Sequence, residues 1–162
     1  MKEFVAACVQ IAVTPNDVRA NVEKGVAWLE RAVHESEAEL VVFPETVTTS
    51  FVTGLGADEL WDLVDDVPGA ITAEVQKAAR SLGVHVVWPT YRRGPERGVV
   101  YNSSILIGPD GEIVGIYDKT HPFPLERADC GGWVTVGNRA DVYETALGSI
   151  GMIICYDCDF PE

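Results

Sequence analysis

Positive charge is scarce in this chain: 12 lysines and arginines stand against 25 aspartates and glutamates in 162 residues, a formal net charge of -13. So acidic a surface repels phosphates and anionic headgroups, so neither nucleic acid nor a membrane is expected as a partner. The densest basic group, Arg92, Arg93 and Arg97 around Gly94 and Pro95, reads as a solvated turn. Long apolar runs are also missing. Phe4 to Val13 is interrupted by Gln10 and preceded by Glu3, too short and too polar to span a bilayer, and it shows no basic lead-in of an export signal. Cysteine is limited to Cys8, Cys130, Cys155 and Cys158, expected as reduced thiols of a cytoplasmic protein and not as a disulfide framework. There is no low-complexity tract and no internal repeat.

What is present is ordinary globular material. The hydrophobic fraction of 47% is spread along the whole length, which predicts one domain over 1–162. Phe4 to Ile11 is a strand-like run. Thr14-Pro15-Asn16-Asp17 then supplies a cap and a proline for a helix whose apolar stripe is Val18, Val22, Val26, Leu29 and Val33. Leu40 to Phe43 is continuously apolar, as in a strand covered on both faces, and Pro44 ends it. A short helix is expected around Leu60, Trp61 and Val64. A second amphipathic helix follows through Ile71, Val75, Ala78, Ala79 and Leu82, closed by Gly83. Val84 to Trp88 is again strand-like. Val99 to Ile107 and Glu112 to Tyr117 form an antiparallel hairpin across Gly108-Pro109-Asp110-Gly111, and a last strand pair is placed near Asp141 to Thr145 and Ile150 to Cys155. Alternating strands and helices followed by hairpins predict an α/β fold with a mixed sheet.

Three polar residues share one placement. Glu45, Lys119 and Cys155 each follow a buried strand, and ligands of α/β sheets bind beyond the carboxyl ends of strands. Taken singly, each has a plainer reading: Glu45 as a turn acid or helix cap, Lys119 as a surface charge, Cys155 as inert core.

The stretches Val42-Phe43-Pro44-Glu45, Tyr117-Asp118-Lys119-Thr120-His121 and Gly151-Met152-Ile153-Ile154-Cys155-Tyr156-Asp157 resemble, in order, the three signature stretches of the nitrilase superfamily of carbon–nitrogen hydrolases. The resemblance implies a nitrilase-like αββα sandwich, mixed β-sheets flanked by helices, of which this chain is expected to hold only the N-terminal part. The sequence stops seven residues past Cys155, at Glu162. It implies Cys155 as nucleophile, Glu45 as general base and Lys119 as the positive partner of the oxyanion. Glu126, seven residues past Lys119, is similar in placement to a second glutamate that positions substrate or water; in its own loop it reads equally as a solvated charge. The implied partners are a small amide or nitrile substrate and further copies of the chain in a homo-oligomer. Amide hydrolysis is the expected activity, with nitrile or carbamoyl hydrolysis and a silent assembly module as alternatives. No cofactor is required.

Cys155-Tyr156-Asp157-Cys158 is also a C-x-x-C. A zinc site needs a second ligand pair, and Cys8 and Cys130 are isolated; a thioredoxin-like pair opens a helix, whereas this one closes the chain. His34 is placed on the wet face of the first helix, His85 half-buried in a strand, and His121 beside Lys119, where it lines a pocket. Trp133 is a candidate substrate contact. Asp159 stands where many members of the resembled family carry a basic residue.

Overall fold

The structure is a computed structural model and describes residues 3–161, so the expectation attached to Glu162 lies outside the described residues. Asp17 caps the first helix, its side chain accepting from the Ala20 amide at 3.2 Å, and α1 runs Val18–Ser36 until Glu37 turns into the left-handed region. Its inward stripe includes Val22, Leu29 and the backbone of Gly25. Strands β1 (Ala6–Cys8) and β2 (Leu40–Val42) flank it in sequence, and α2 (Ala57–Leu63) and α3 (Ala70–Leu82) follow. Gly83, at φ 68°, ends α3 as expected.

Strand β3 (His85–Arg93), β4 (Val100–Ile107) and β5 (Ile113–Asp118) complete a sheet in the order β1-β2-β3-β4-β5. The first two pairings are parallel and the last two antiparallel, which makes the sheet mixed. Period-2 alternation divides its side chains. Val41, Val86, Trp88, Ile105 and Ile107 pack with α1 and α3 into one core, while Val87, Leu106 and Tyr117 point to the opposite face. There they meet Met152 and Ile154.

Four expectations need correction. The first strand is only Ala6–Cys8. Strand β3 extends beyond Trp88 to Arg93, because it pairs with β4 along its whole length. Arg92 and Arg93 are therefore not a solvated turn: the Arg92 guanidinium bonds the Asp118 carboxylate at 2.9 and 2.6 Å, and Arg93 stacks on Trp61 at 4.5 Å. The last strand stops early as well. β6 (Val142–Thr145) and β7 (Gly148–Gly151) form a separate two-stranded sheet, and residues 152–154 run extended without entering it. Side-chain alternation survives there, with Met152 and Ile154 buried on the sheet face and Ile153 turned outward. The chain there is held by packing, not by a backbone ladder.

Candidate active site

Each chemical residue is held by a different device. Phe43 extends the β2 pairing through its amide to the Val87 carbonyl (3.1 Å), and Val47 bonds Pro89 in the same way (3.0 Å), so Glu45 sits in a loop tied at both ends to β3. Thr48 and Thr90 share a buried hydroxyl bond of 2.6 Å. Buried Asn21 of α1 donates to the Thr14 and Thr48 carbonyls (2.7 and 2.8 Å), fixing that loop against the helix. Lys119 follows β5 directly, and its amide bonds the Asn102 carbonyl on β4 (2.8 Å).

The side chains then converge. The Lys119 ammonium, fully buried, donates to Glu45 Oε1 at 2.8 Å and to Glu126 Oε1 at 2.5 Å. Glu126 is not a solvated charge: it has no exposed surface, and the Phe123 amide also donates to its Oε1 (2.8 Å). Burial alone pulls the Lys119 pKa down, yet the hydrogen bonds and charges of Glu126 and Glu45 outweigh it and leave the ammonium above the ordinary lysine value. The Phe51 ring lies 5.6 Å from Nζ and adds a cation–π contact.

Asn102 completes the cluster. Its Nδ2 donates to Glu45 Oε1 (2.8 Å) and Glu126 Oε2 (3.3 Å), so one neutral amide bridges both acids. Sequence reasoning missed this residue. The available signal was an Asn-Ser-Ser triplet inside an otherwise apolar strand, where buried polar groups need partners.

Cys155 opens a 3-10 turn, Cys155–Asp159, with its own φ at 46°. The C-x-x-C therefore starts a helical turn instead of merely closing the chain. Burial pushes the Cys155 thiol up and the Glu45 charge pushes it further, against the opposing pull of Lys119. Glu45 and Cys155 face one space, close enough for the Glu45 charge to act on the thiol. A cleft of about 200 Å³ opens between them, lined by Phe43, Glu45, Pro89, Ser104, Ile154 and Cys155. Clefts of about 350 and 490 Å³ border α1 and α3 but gather no comparable groups. Chemistry, not size, selects the smaller one.

His121 takes a bracing position. Its amide and Nδ1 lie 2.8 and 3.2 Å from Asp157 Oδ1, and its ring stacks on Phe160 at 4.0 Å. Asp157 is buried and also accepts from the Tyr117 hydroxyl (2.7 Å) and the Ile154 amide (2.8 Å). It thereby ties the loop after Lys119 to the turn of Cys155. Trp133 packs edge-on to Phe51 and into the cluster of Leu60, Val64 and Tyr91, on the Glu126 side of the site.

An acid, an ammonium and a thiol at one edge of a mixed α/β sheet define a class of site able to run acyl transfer. The model of the carbon–nitrogen hydrolase family matches residues 5–162, and the chain belongs to that family. Its fold agrees: a CN-hydrolase superfamily protein of Xanthomonas campestris, described with an arsenic adduct in its active site, superposes with a TM-score of 0.82 at 26% identity, over 99% of this chain and 56% of that one. A formamidase of Bacillus cereus is 31% identical across 98% of this chain and 48% of its own. A probable nitrilase of Schizosaccharomyces pombe is 27% identical across 96% and 56%. The chain spans about half the length of these relatives. Among the described residues, no helix is long and apolar enough to cross a membrane.

Proposed function

We propose that the protein hydrolyses the carbon–nitrogen bond of a small amide through a Cys155 thioester. The observation that carries this reading is the Lys119 ammonium clamped between Glu45 and Glu126, with Glu45 and Cys155 lining one cleft. A thiol held above its ordinary pKa is protonated at rest, so a base must take its proton as attack begins. Lys119 and Asn102 both occupy Glu45 Oε1, which leaves Oε2 for that proton.

The sulfur attacks the carbonyl carbon, and the negative charge on oxygen falls to the Lys119 ammonium and the Tyr156 amide. Glu45, now protonated, delivers its proton to the departing amine. Water, activated by the same carboxylate, then cleaves the thioester. Glu126 holds Lys119 in place and positions substrate. The formamidase likeness favours a small amide over a bulky one.

The test is intact-protein mass spectrometry and product assay with small amides plus hydroxylamine, comparing the chain with Cys155→Ala. Amide-dependent hydroxamate lost in the variant supports the reading. Turnover of nitriles or carbamoyl compounds alone moves the substrate class. No turnover, with all four cysteines alkylated equally slowly, overturns it in favour of a silent assembly module.

A further inference from the structure

Cys155 and Cys158 are the first and fourth residues of the same 3-10 turn, and both are exposed. A 3-10 turn has three residues per turn, so residues i and i+3 lie one turn apart along the same side of the backbone. Three steps of about 2.0 Å place the two Cα atoms about 6 Å apart. That lies within the roughly 4.4–6.8 Å that a disulfide bridges. The Cys158 thiol reaches the Cys155 backbone, since Sγ donates to the Cys155 carbonyl oxygen at 2.8 Å. Among the described residues, no group of three or more His, Cys, Asp or Glu side chains gathers around a metal-sized space, so the pair is not part of a visible metal-ligand set.

We propose that Cys158 is a resolving cysteine, which converts oxidised Cys155 into a reversible Cys155–Cys158 disulfide when the protein meets a hydroperoxide. The Cys155 thiol passes its proton to Glu45 as its sulfur attacks the terminal oxygen of the hydroperoxide, the O–O bond breaks, and the departing oxygen takes up that proton to leave as an alcohol, or as water from hydrogen peroxide. Cys155 is then a sulfenic acid. The Cys158 thiolate attacks that sulfur, an S–S bond forms, the S–O bond breaks, and water departs with the available proton. Two electrons pass from the cysteine pair to the hydroperoxide, and a dithiol reductant returns them. The modification occupies the same sulfur as the proposed nucleophile but needs no amide chemistry, so it stands or falls separately from the hydrolase reading.

The experiment treats the reduced full chain with hydrogen peroxide, blocks free thiols with iodoacetamide and maps peptides by mass spectrometry. The expected product has lost two hydrogens across Cys155 and Cys158, is restored by dithiothreitol, and leaves Cys8 and Cys130 alkylated. Cys158→Ser, an exposed and near-isosteric change whose fold is checked by circular dichroism, is expected to shift Cys155 severalfold toward sulfinic acid. If Cys155 over-oxidises equally in both proteins, or if the bond joins Cys155 to Cys8, Cys130 or another molecule, the proposal is overturned.

Discussion

Lys119 Nζ lies 2.5 Å from Glu126 Oε1, and neither side chain has exposed surface. A third charge, Glu45, shares the ammonium from the solvent side with a fifth of its side chain exposed. Removing the cation from such a cluster leaves one acid buried and unpaired. Lys119→Met is expected to cost about 3–5 kcal/mol of stability. Glu45→Gln keeps the buried pair and is expected to cost far less. Urea denaturation of the three proteins checks this; equal midpoints for Lys119→Met and the parent would refute it.

Asp157 gathers the Tyr117 hydroxyl and the amides of His121 and Ile154 on one carboxylate. Asp157→Asn replaces one accepting oxygen by a donor facing other donors, for a cost of about 1–3 kcal/mol. Asp159→Asn, which alters an exposed neighbour, is expected to be silent. Thermal melts of the two variants are the measurement.

Gly25 is a steric requirement. A Cβ there meets the six-membered ring of Trp88, which is itself fully buried. Overpacking of this kind costs roughly 1–3 kcal/mol. Gly25→Ala is expected to lose that much, and Gly25→Ala/Trp88→Phe to recover part of it, a coupling that a double-mutant cycle resolves.

His85 is buried, and burial lowers its pKa below the ordinary histidine value. The unfolded chain therefore takes up this proton first. Stability from this residue is intact above about pH 6.5 and is lost as pH falls below it. His85→Gln is expected to flatten the melting temperature against pH between 7 and 5 relative to the parent, and an unchanged slope would show that another group carries the loss.

Much of the fold was legible because its signals are local. The Val22 and Leu29 stripe, the Asp17 cap, the Gly83 stop and the turn before Glu112 all act within a few residues. The convergence of Glu45 and Lys119 was legible only as two strand ends, because their adjacency depends on β2 and β5 reaching one site across β3 and β4. Asn102 and the burial of Glu126 were hidden for the same reason: each is defined by partners 24 or more residues away, or by a loop that folds back on Lys119. Residues 152–154 misled because an apolar run shows burial, and burial by packing looks the same in sequence as burial in a ladder.

The division between the five-stranded sheet and the two-stranded one has a consequence for how the site opens. Asn102, which carries both acids and the Lys119 backbone, belongs to a central strand paired on both sides, so its amide is expected to exchange with solvent only on near-global unfolding. Cys155 hangs from a segment attached through side chains, where exchange proceeds by local release. The sulfur and the charges that surround it thus hang from parts of the chain secured in different ways, and the amides of residues 152–154 are expected to exchange ahead of that of Asn102.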